Sequence, residues 1–362
     1  MTIPLDSVLE NILDLARWAP SGDNTQPWRF EIVDARHVVV HGFDTRAHCV
    51  YDLDGHPSQI SLGALLESMA IAASAHALSM RAERRLEGAD NAPTFDVWFE
   101  PDLQRAADTL ARCIPVRSVQ RRPMHTRPLS RDEKSALGAA LPEPFQILWL
   151  EGLGKRMATA RLMFNNAKLR LTMPEAHQVH KAVIEWNARY SQDRIPDQAL
   201  GVDPVTAKLM RWIMQSWGRV AFFNTFLAGT LAPRIQMDLI PGLACAAHFV
   251  ILAKGRPVSI DDYVDAGRAM QRFWLTATEL GLQLQPELTP LIFARYVREN
   301  TTFSKTEGMR ARACALALQL ADLVGQDGSE RAVFMGRIGA GPAAPARSTR
   351  RSLKDLIVPH GA

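Results

Sequence analysis

Ala19-Pro20-Ser21-Gly22-Asp23-Asn24-Thr25-Gln26-Pro27-Trp28 lies between a helical and an extended pattern, and that placement decides how the chain is read. Upstream, Val8, Leu9, Ile12, Leu13 and Ala16 recur at helical spacing within residues 6–18. Ser7-Val8-Leu9-Glu10 there has the form of a capping box, and Pro20 forbids a further turn. Downstream, Trp28–Val33 alternates like a half-buried strand. A polar segment held at both ends by regular structure can present its groups in a fixed geometry.

What it could hold follows from its side chains. An isoalloxazine ring displays acceptors and a donor along one edge, so its site needs a bifunctional amide and nearby backbone N–H groups. Asn24 supplies the amide, and Ser21, Gly22 and Gln26 complete a polar clamp around it. An ordinary turn rich in Pro, Gly, Asp and Asn is the plainer reading of any four of these residues. The complete string favours a flavin-edge loop.

The run Ala16–Phe30 resembles the nitroreductase-like FMN proteins. That resemblance implies an α+β fold with a central, mostly antiparallel sheet sandwiched by helices. It also implies a dimeric architecture in which the Pro-Ser-x-x-Asn-x-Gln-Pro-Trp loop comes from one half and phosphate-binding arginines from the other. Ile114–Pro123 resembles the arginine cluster: Arg117 and Arg121 would share a face on one helical turn, with Ser118 beside them. Arginine suits a phosphate because its planar fork gives paired, charge-assisted hydrogen bonds. The plainer reading of this segment is a solvated basic helix start.

Two further stretches follow in the family's order. Phe164-Asn165-Asn166-Ala167-Lys168 resembles the family helix that approaches the flavin N1/C2=O edge, which assigns Asn165 and Lys168 there, Lys168 to stabilise the reduced-ring charge. Val333–Gly339 reads as a buried strand running into a Gly-Pro-Ala loop, after which Arg350 and Arg351 would return to the phosphate. Leu280–Glu287 stands where the family places its loop over the flavin face.

The chain therefore reads as two tandem half-domains forming an intrachain pseudo-dimer, as in the fused branch of Acg-like proteins. Residues 1–112 supply the flavin-edge loop and residues 113–362 the phosphate-binding arginines. One complete site is expected rather than two, because the first half lacks its own arginine cluster. Residues 191–240 fit neither half. Trp212, Met214, Trp217, Phe222, Phe223 and Phe226 there suit core or pseudo-dimer packing, or a lid over the flavin.

Bulk properties constrain the rest. At 362 residues and 47% hydrophobic, the chain can bury a large core. A net charge of +4, with dispersed arginines and no interleaved aromatics, argues against nucleic-acid binding. Cys49, Cys113, Cys245 and Cys314 are far apart without metal spacing, and His177 with His180 lacks partners for a metal pair, so no metal is expected. The cysteines read as reduced residues of a cytoplasmic protein. Met1-Thr2-Ile3-Pro4 lacks the regions of an export signal, and the apolar stretch 239–253 is too short to span a bilayer, so no membrane partner is expected. No G-x-G-x-x-G follows a strand, which leaves a Rossmann fold unsupported.

Further helices are expected at about 61–80, 103–112, 131–140, 152–171, 175–190, 262–281 and 307–324. Strands are expected near 38–41, 95–100, 145–150, 248–253 and 333–338. The function implied is that of an FMN-dependent oxidoreductase: NADPH or NADH delivers hydride to flavin N5, and a small organic acceptor takes the electrons. No side chain is assigned as a catalytic acid or base. The alternatives are an FMN-sequestering protein closed by a lid, or specialised flavin chemistry such as biosynthetic oxidation or flavin breakdown.

Overall fold

Two sheets with the same strand connectivity make up the fold. A computed structural model describes residues 5–227 and 229–360. The first half contains α1 (Leu5–Ala16), β1 (Trp28–Asp34), β2 (His37–Gly42), α2 (His56–Ser74), β3 (Leu78–Arg84) and β4 (Thr94–Pro101), with strands side by side as β1-β2-β4-β3. The second half runs α3 (Arg131–Ala139), β5 (Gln146–Leu150), then α4 (Gly152–Leu171), α5 (Pro174–Val183), α6 (Pro204–Ile213) and α7 (Trp217–Phe226). It continues through β6 (Ala247–Leu252), α8 (Ile260–Glu279), β7 (Leu282–Pro286), α9 (Thr289–Arg298), α10 (Met309–Val324) and β8 (Ala332–Ala340). Its sheet order is β5-β6-β8-β7, the same path as the first sheet. A last short strand, β9 (Ile357–Val358), pairs parallel with β1, Phe30 opposite Ile357, so the C-terminal segment returns to the first half.

The two halves meet along α2 and α8. Every residue of α2 from Ser58 to Ser74 is buried, which fits its even, non-amphipathic apolar composition. Gly63 and Gly267 occupy corresponding positions in the two helices. A Cβ on Gly63 would stand 1.9 Å from the carbonyl oxygen of Val264, and one on Gly267 2.1 Å from that of Ile60. The reciprocal contact marks an intrachain pseudo-two-fold, and flanking polar pairs fix its register: Arg268 and Arg272 bond Glu67, and Gln271 donates to Ser68. One hydrophobic core serves both halves, with Trp28, Phe30 and Phe99 packed in the same cluster as Phe249, Phe273 and Phe334.

Several local expectations change. The first helix begins at Leu5, so Ser7 lies inside it rather than at its cap. Met1–Pro4 lies outside the described residues. The helix expected to continue to residue 80 stops at Ser74, and Leu78–Arg84 is a strand paired along its length with β4. Residues 103–108 are not helical; the helical part is Thr109–Cys113, a 3-10 segment whose N-cap Asp108 accepts from the Leu110 N–H. Helix α5 ends at Val183, seven residues short of the expected 190.

Candidate functional site

Between the halves and beneath the 152–243 insertion lies a cavity of about 450 Å³, within the range typical of small-molecule sites. Its lining includes Ser21, Gly22 and Asn24, and also Arg117, Ser118, Arg121 and Arg350. The clamp loop, the 114–123 segment and the C-terminal return thus converge from distant parts of the chain.

The loop is bent hard where it enters the cavity. Asp23, Asn24 and Gln26 have φ of 50°, 63° and 50°, a left-handed backbone that non-glycine residues adopt at a cost. Side chains hold it there. Ser21 Oγ accepts the Gln26 N–H at 3.0 Å, and Gln26 Nε2 donates to the carbonyls of Asn24 and Gln192. Gln26 Oε1 accepts the Arg351 N–H at 2.9 Å. Gln26 is fully buried and shapes the loop rather than lining the cavity. The Asn24 amide donates to the carbonyls of Thr349 and Arg194, which leaves its Oδ1 buried with no hydrogen-bond partner. A buried acceptor without a donor is costly, and a ligand N–H would relieve it.

Arg117, Arg347 and Arg350 form a cationic cluster in the same wall. The Arg117 guanidinium lies 4.3 Å from the Trp274 ring centroid and donates to the Trp18 carbonyl, with its Nε unpartnered. Arg347 donates to the carbonyls of Pro115 and Val116, and Arg350 to those of Trp18 and Ala19. Among the described residues no carboxylate makes a salt bridge with any of the three. Burial, then the charges of Arg350 and Arg347, pull Arg117 well below the usual arginine range. Burial and the neighbouring Arg347 and Arg17 bring Arg350 down to about 9. Buried cations normally have carboxylate partners; unopposed ones make an anion site.

A second polar group lines the cavity near the insertion. Tyr51 Oη lies 2.8 Å from His180 Nε2. Burial and the charges of Arg170 and His177 push His180 down to about 3, so its imidazole is neutral, and burial raises the Tyr51 phenol. Asp23 is raised by burial against the pull of Arg121 and Arg170, and Asp238 is raised to about 6 for the same first reason. The Cys49 thiol is pushed up to about 12 by burial and stays protonated.

Beside them, His248 donates from both ring nitrogens, to Glu287 at 2.7 Å and to the Gly242 carbonyl at 2.8 Å, and Arg337 completes a buried network. Burial alone would lower the imidazole, but the Glu287 carboxylate outweighs it and holds His248 at about 10. Because that pKa lies above the unfolded value near 6.5, its stabilisation is full below about pH 6.5 and is lost as the pH rises toward 10. Melting curves from pH 6 to pH 10 should show the gap between wild type and His248→Gln closing. A gap independent of pH would exclude a charged His248.

Placement of the expected residues is uneven. Arg117 and Arg121 both reach the cavity, but not from one helical turn. The segment is extended, with Val119 bridged in parallel to Leu284 and Pro115 and Pro123 at its ends. Arg351 points outward to Asp193 at 3.1 Å, whereas Arg347, not anticipated, joins Arg350. On α4 the cavity face is Met163, Ala167 and Arg170; Lys168 is exposed on another face, and Asn165 does not line the cavity. Leu282–Pro286 is a strand of the second sheet rather than a loop, and Gln285 and Glu287 reach the cavity from its end. Residues of the 191–240 segment, among them Met210, Met214, Val220 and Met237, roof the cavity, while Trp212, Phe222 and Phe226 stay exposed instead of packing as core. Of the four cysteines, Cys49, Cys113 and Cys245 are buried and Cys314 is half-buried.

The pseudo-two-fold relates this cavity to a shallow hollow lined by Leu66, Ala82, Glu83, Arg84, Phe95 and Asp265 among others. These correspond in turn to Met270, Pro286, Glu287, Leu288, Phe334 and Ser61 of the cavity. Among the described residues, no clamp loop and no arginine trio reach the hollow. Arg84, which lines it, is instead paired with Asp261 at 2.7 and 2.9 Å.

Residues 3–111 match the nitroreductase family. An uncharacterized protein of Mycobacterium tuberculosis (strain CDC 1551 / Oshkosh) is 23% identical over 357 residues, covering 97% of this chain and 48% of its own length. The chain thus spans about half the length of the curated relative it matches. Among solved structures, a nitroreductase-like family protein from Bacillus cereus is 15% identical over 68% of this chain and 94% of its own, with a TM-score of 0.34. The FMN-dependent nitroreductase NfnB from Mycobacterium smegmatis, solved with NADPH, is 14% identical over 67% and 94% of the two chains, with a TM-score of 0.36. The nitroreductase match is confined to residues 3–111, which include the whole of the loop that enters the cavity.

Proposed function

We propose that this chain is an FMN-dependent oxidoreductase of nitroreductase type, using NADPH or NADH as donor and a small organic molecule as acceptor. The observation that carries this reading is the trio in one cavity wall, Arg117 and Arg350 buried and Arg347 half-buried, with no carboxylate among the described residues in a salt bridge with any of them. Their guanidinium groups would hold the FMN phosphate, with Ser118 beside them. The orphaned Oδ1 of Asn24 would accept from the ring edge, and Ser21 and Gly22, which line the cavity beside it, would approach the ring closely. Gln26 positions the loop. When bound, FMN supplies the hydride chemistry at its N5 atom.

The remaining residues bind, exclude water and hold protons. Arg170 is the cation that α4 sends into the cavity, in the role first given to Lys168. Met210, Met214 and Met237 of the roof exclude water. Tyr51 keeps its proton at Oη beside neutral His180.

The same roof favours a second reading, in which the insertion closes over FMN and the protein sequesters it. Purified protein, incubated with FMN and desalted, should retain flavin absorbance that bleaches on anaerobic addition of NADPH or NADH. Flavin that is retained but stays oxidised would favour sequestration, and no retained flavin would overturn both readings. Because the symmetry-related hollow lacks the clamp and the arginines, the ratio of flavin to protein should be one per chain; a ratio of two would refute the assignment of a single site.

A further inference from the structure

The outer face of the insertion leaves apolar surface uncovered. Helix α6 has no buried residue, and Val205, Leu209 and Trp212 are exposed on it. Phe222 and Phe226 are exposed on α7, the latter by 70%. The aromatic side chains form one run: Trp212 packs on Phe223 at 5.8 Å, Phe223 on Phe222 at 5.9 Å, and Phe222 on Phe226 at 5.2 Å. Single exposed apolar residues are ordinary, but a contiguous aromatic patch marks a binding surface. The helices cannot bury it by turning over, because Met210 and Ile213 of α6, Val220 of α7 and Met214 between them already line the cavity.

Charge selects the occupant. Neither α6 nor α7 carries a carboxylate, whereas Lys208, Arg211 and Arg219 lie on them. The Arg219 guanidinium stands 4.6 Å from the Trp212 ring centroid. Of the nearby acids, Asp203 is occupied as the α6 cap and by Gln236, and Asp238 is buried. A second copy packed on this face would set these cations against their own counterparts, an arrangement that costs affinity. Tryptophan and phenylalanine bordered by lysine and arginine suit an anionic lipid surface instead. Among the described residues no helix is long and apolar enough to cross a membrane, and a surface-lying hairpin does not need one.

We propose that α6 and α7 dock the chain onto an anionic bilayer surface, with Trp212, Phe222 and Phe226 entering the headgroup region. The test is flotation of the full chain with vesicles of phosphatidylcholine alone or mixed with phosphatidylglycerol. Binding is expected to the mixed vesicles, to weaken with salt, and to be at least tenfold lower on phosphatidylcholine. Phe222→Asp with Phe226→Asp should abolish it. Lys208→Gln and Arg211→Gln should each weaken it about fivefold. Circular dichroism and melting temperature should match wild type in every variant, since each site is exposed. No binding to mixed vesicles, binding undiminished by the paired aspartates, or a concentration-dependent dimer without lipid binding would each overturn the proposal. None of these outcomes depends on whether the cavity holds FMN.

Discussion

Replacing Arg117 and Arg350 with alanine should abolish FMN retention on a desalting column while leaving the apo fold intact or more stable. Each guanidinium would contribute a charge-assisted hydrogen bond to the phosphate, on the order of 1.5–3 kcal/mol apiece. Removing two should weaken FMN by about 10² to 10⁴. The opposite effect is expected without ligand, because the two side chains are buried beside each other and Arg347, and among the described residues no carboxylate pairs with them. A site that binds better than it folds is the usual trade between function and stability. Arg121→Ala should cost less, since Asp23 opposes its charge and its N–H already bonds the Ala199 carbonyl. Isothermal titration with FMN and apo-protein melting curves read the two effects separately. Tight FMN binding by the double variant, or an apo form that unfolds on losing the arginines, would sink the assignment.

The contrast between Arg350 and Arg351 shows where sequence stops being informative. Strands such as β1, β4 and β8 are legible because their burial alternates or runs unbroken in residues that favour extension. The clamp loop is legible because its residue types fit one chemistry. Which of several neighbouring arginines turns inward depends on the phase of a segment without regular structure. Arg350 goes in because Ala19 and Trp18 present carbonyls to it, and those carbonyls lie more than 300 residues away in sequence. The same limit misplaced Lys168: Met163, Ala167 and Arg170 set the inward face of α4, and one step along the helix carries a side chain off that face. The expected helix at 61–80 runs into Leu78–Met80, the start of β3, because the local pattern there is weak and the pairing of Leu78–Arg84 with Thr94–Pro101 is a tertiary fact. Asn24 was identifiable as a ligand group, but the reason it is available, an acceptor left without a donor, exists only once Thr349 and Arg194 occupy its amide.

Gly63→Ala and Gly267→Ala should each destabilise the protein by about 3 kcal/mol, the upper part of the range for forcing volume into a packed core. The new methyl would meet a backbone carbonyl of the facing helix, at 1.9 Å from Val264 and 2.1 Å from Ile60, and neither carbonyl can swing aside as a side-chain end could. Helices α2 and α8 would have to separate. Ile60 and Ser61 of α2 and Met270 and Trp274 of α8 line the cavity, so separation should also loosen the wall on which Arg117 stacks. Lower melting temperature and weaker FMN retention are therefore expected together, unlike the arginine variants, where they part. Gly154→Ala is the matched control: its Cβ would meet nothing within 4 Å, and in a helix it should stabilise by about 0.5–1 kcal/mol. If Gly63→Ala and Gly267→Ala melted with the control, the two halves could not pack as closely as the reciprocal glycines require. The pseudo-two-fold that brings the clamp loop and the arginines to one cavity would then lose its physical basis.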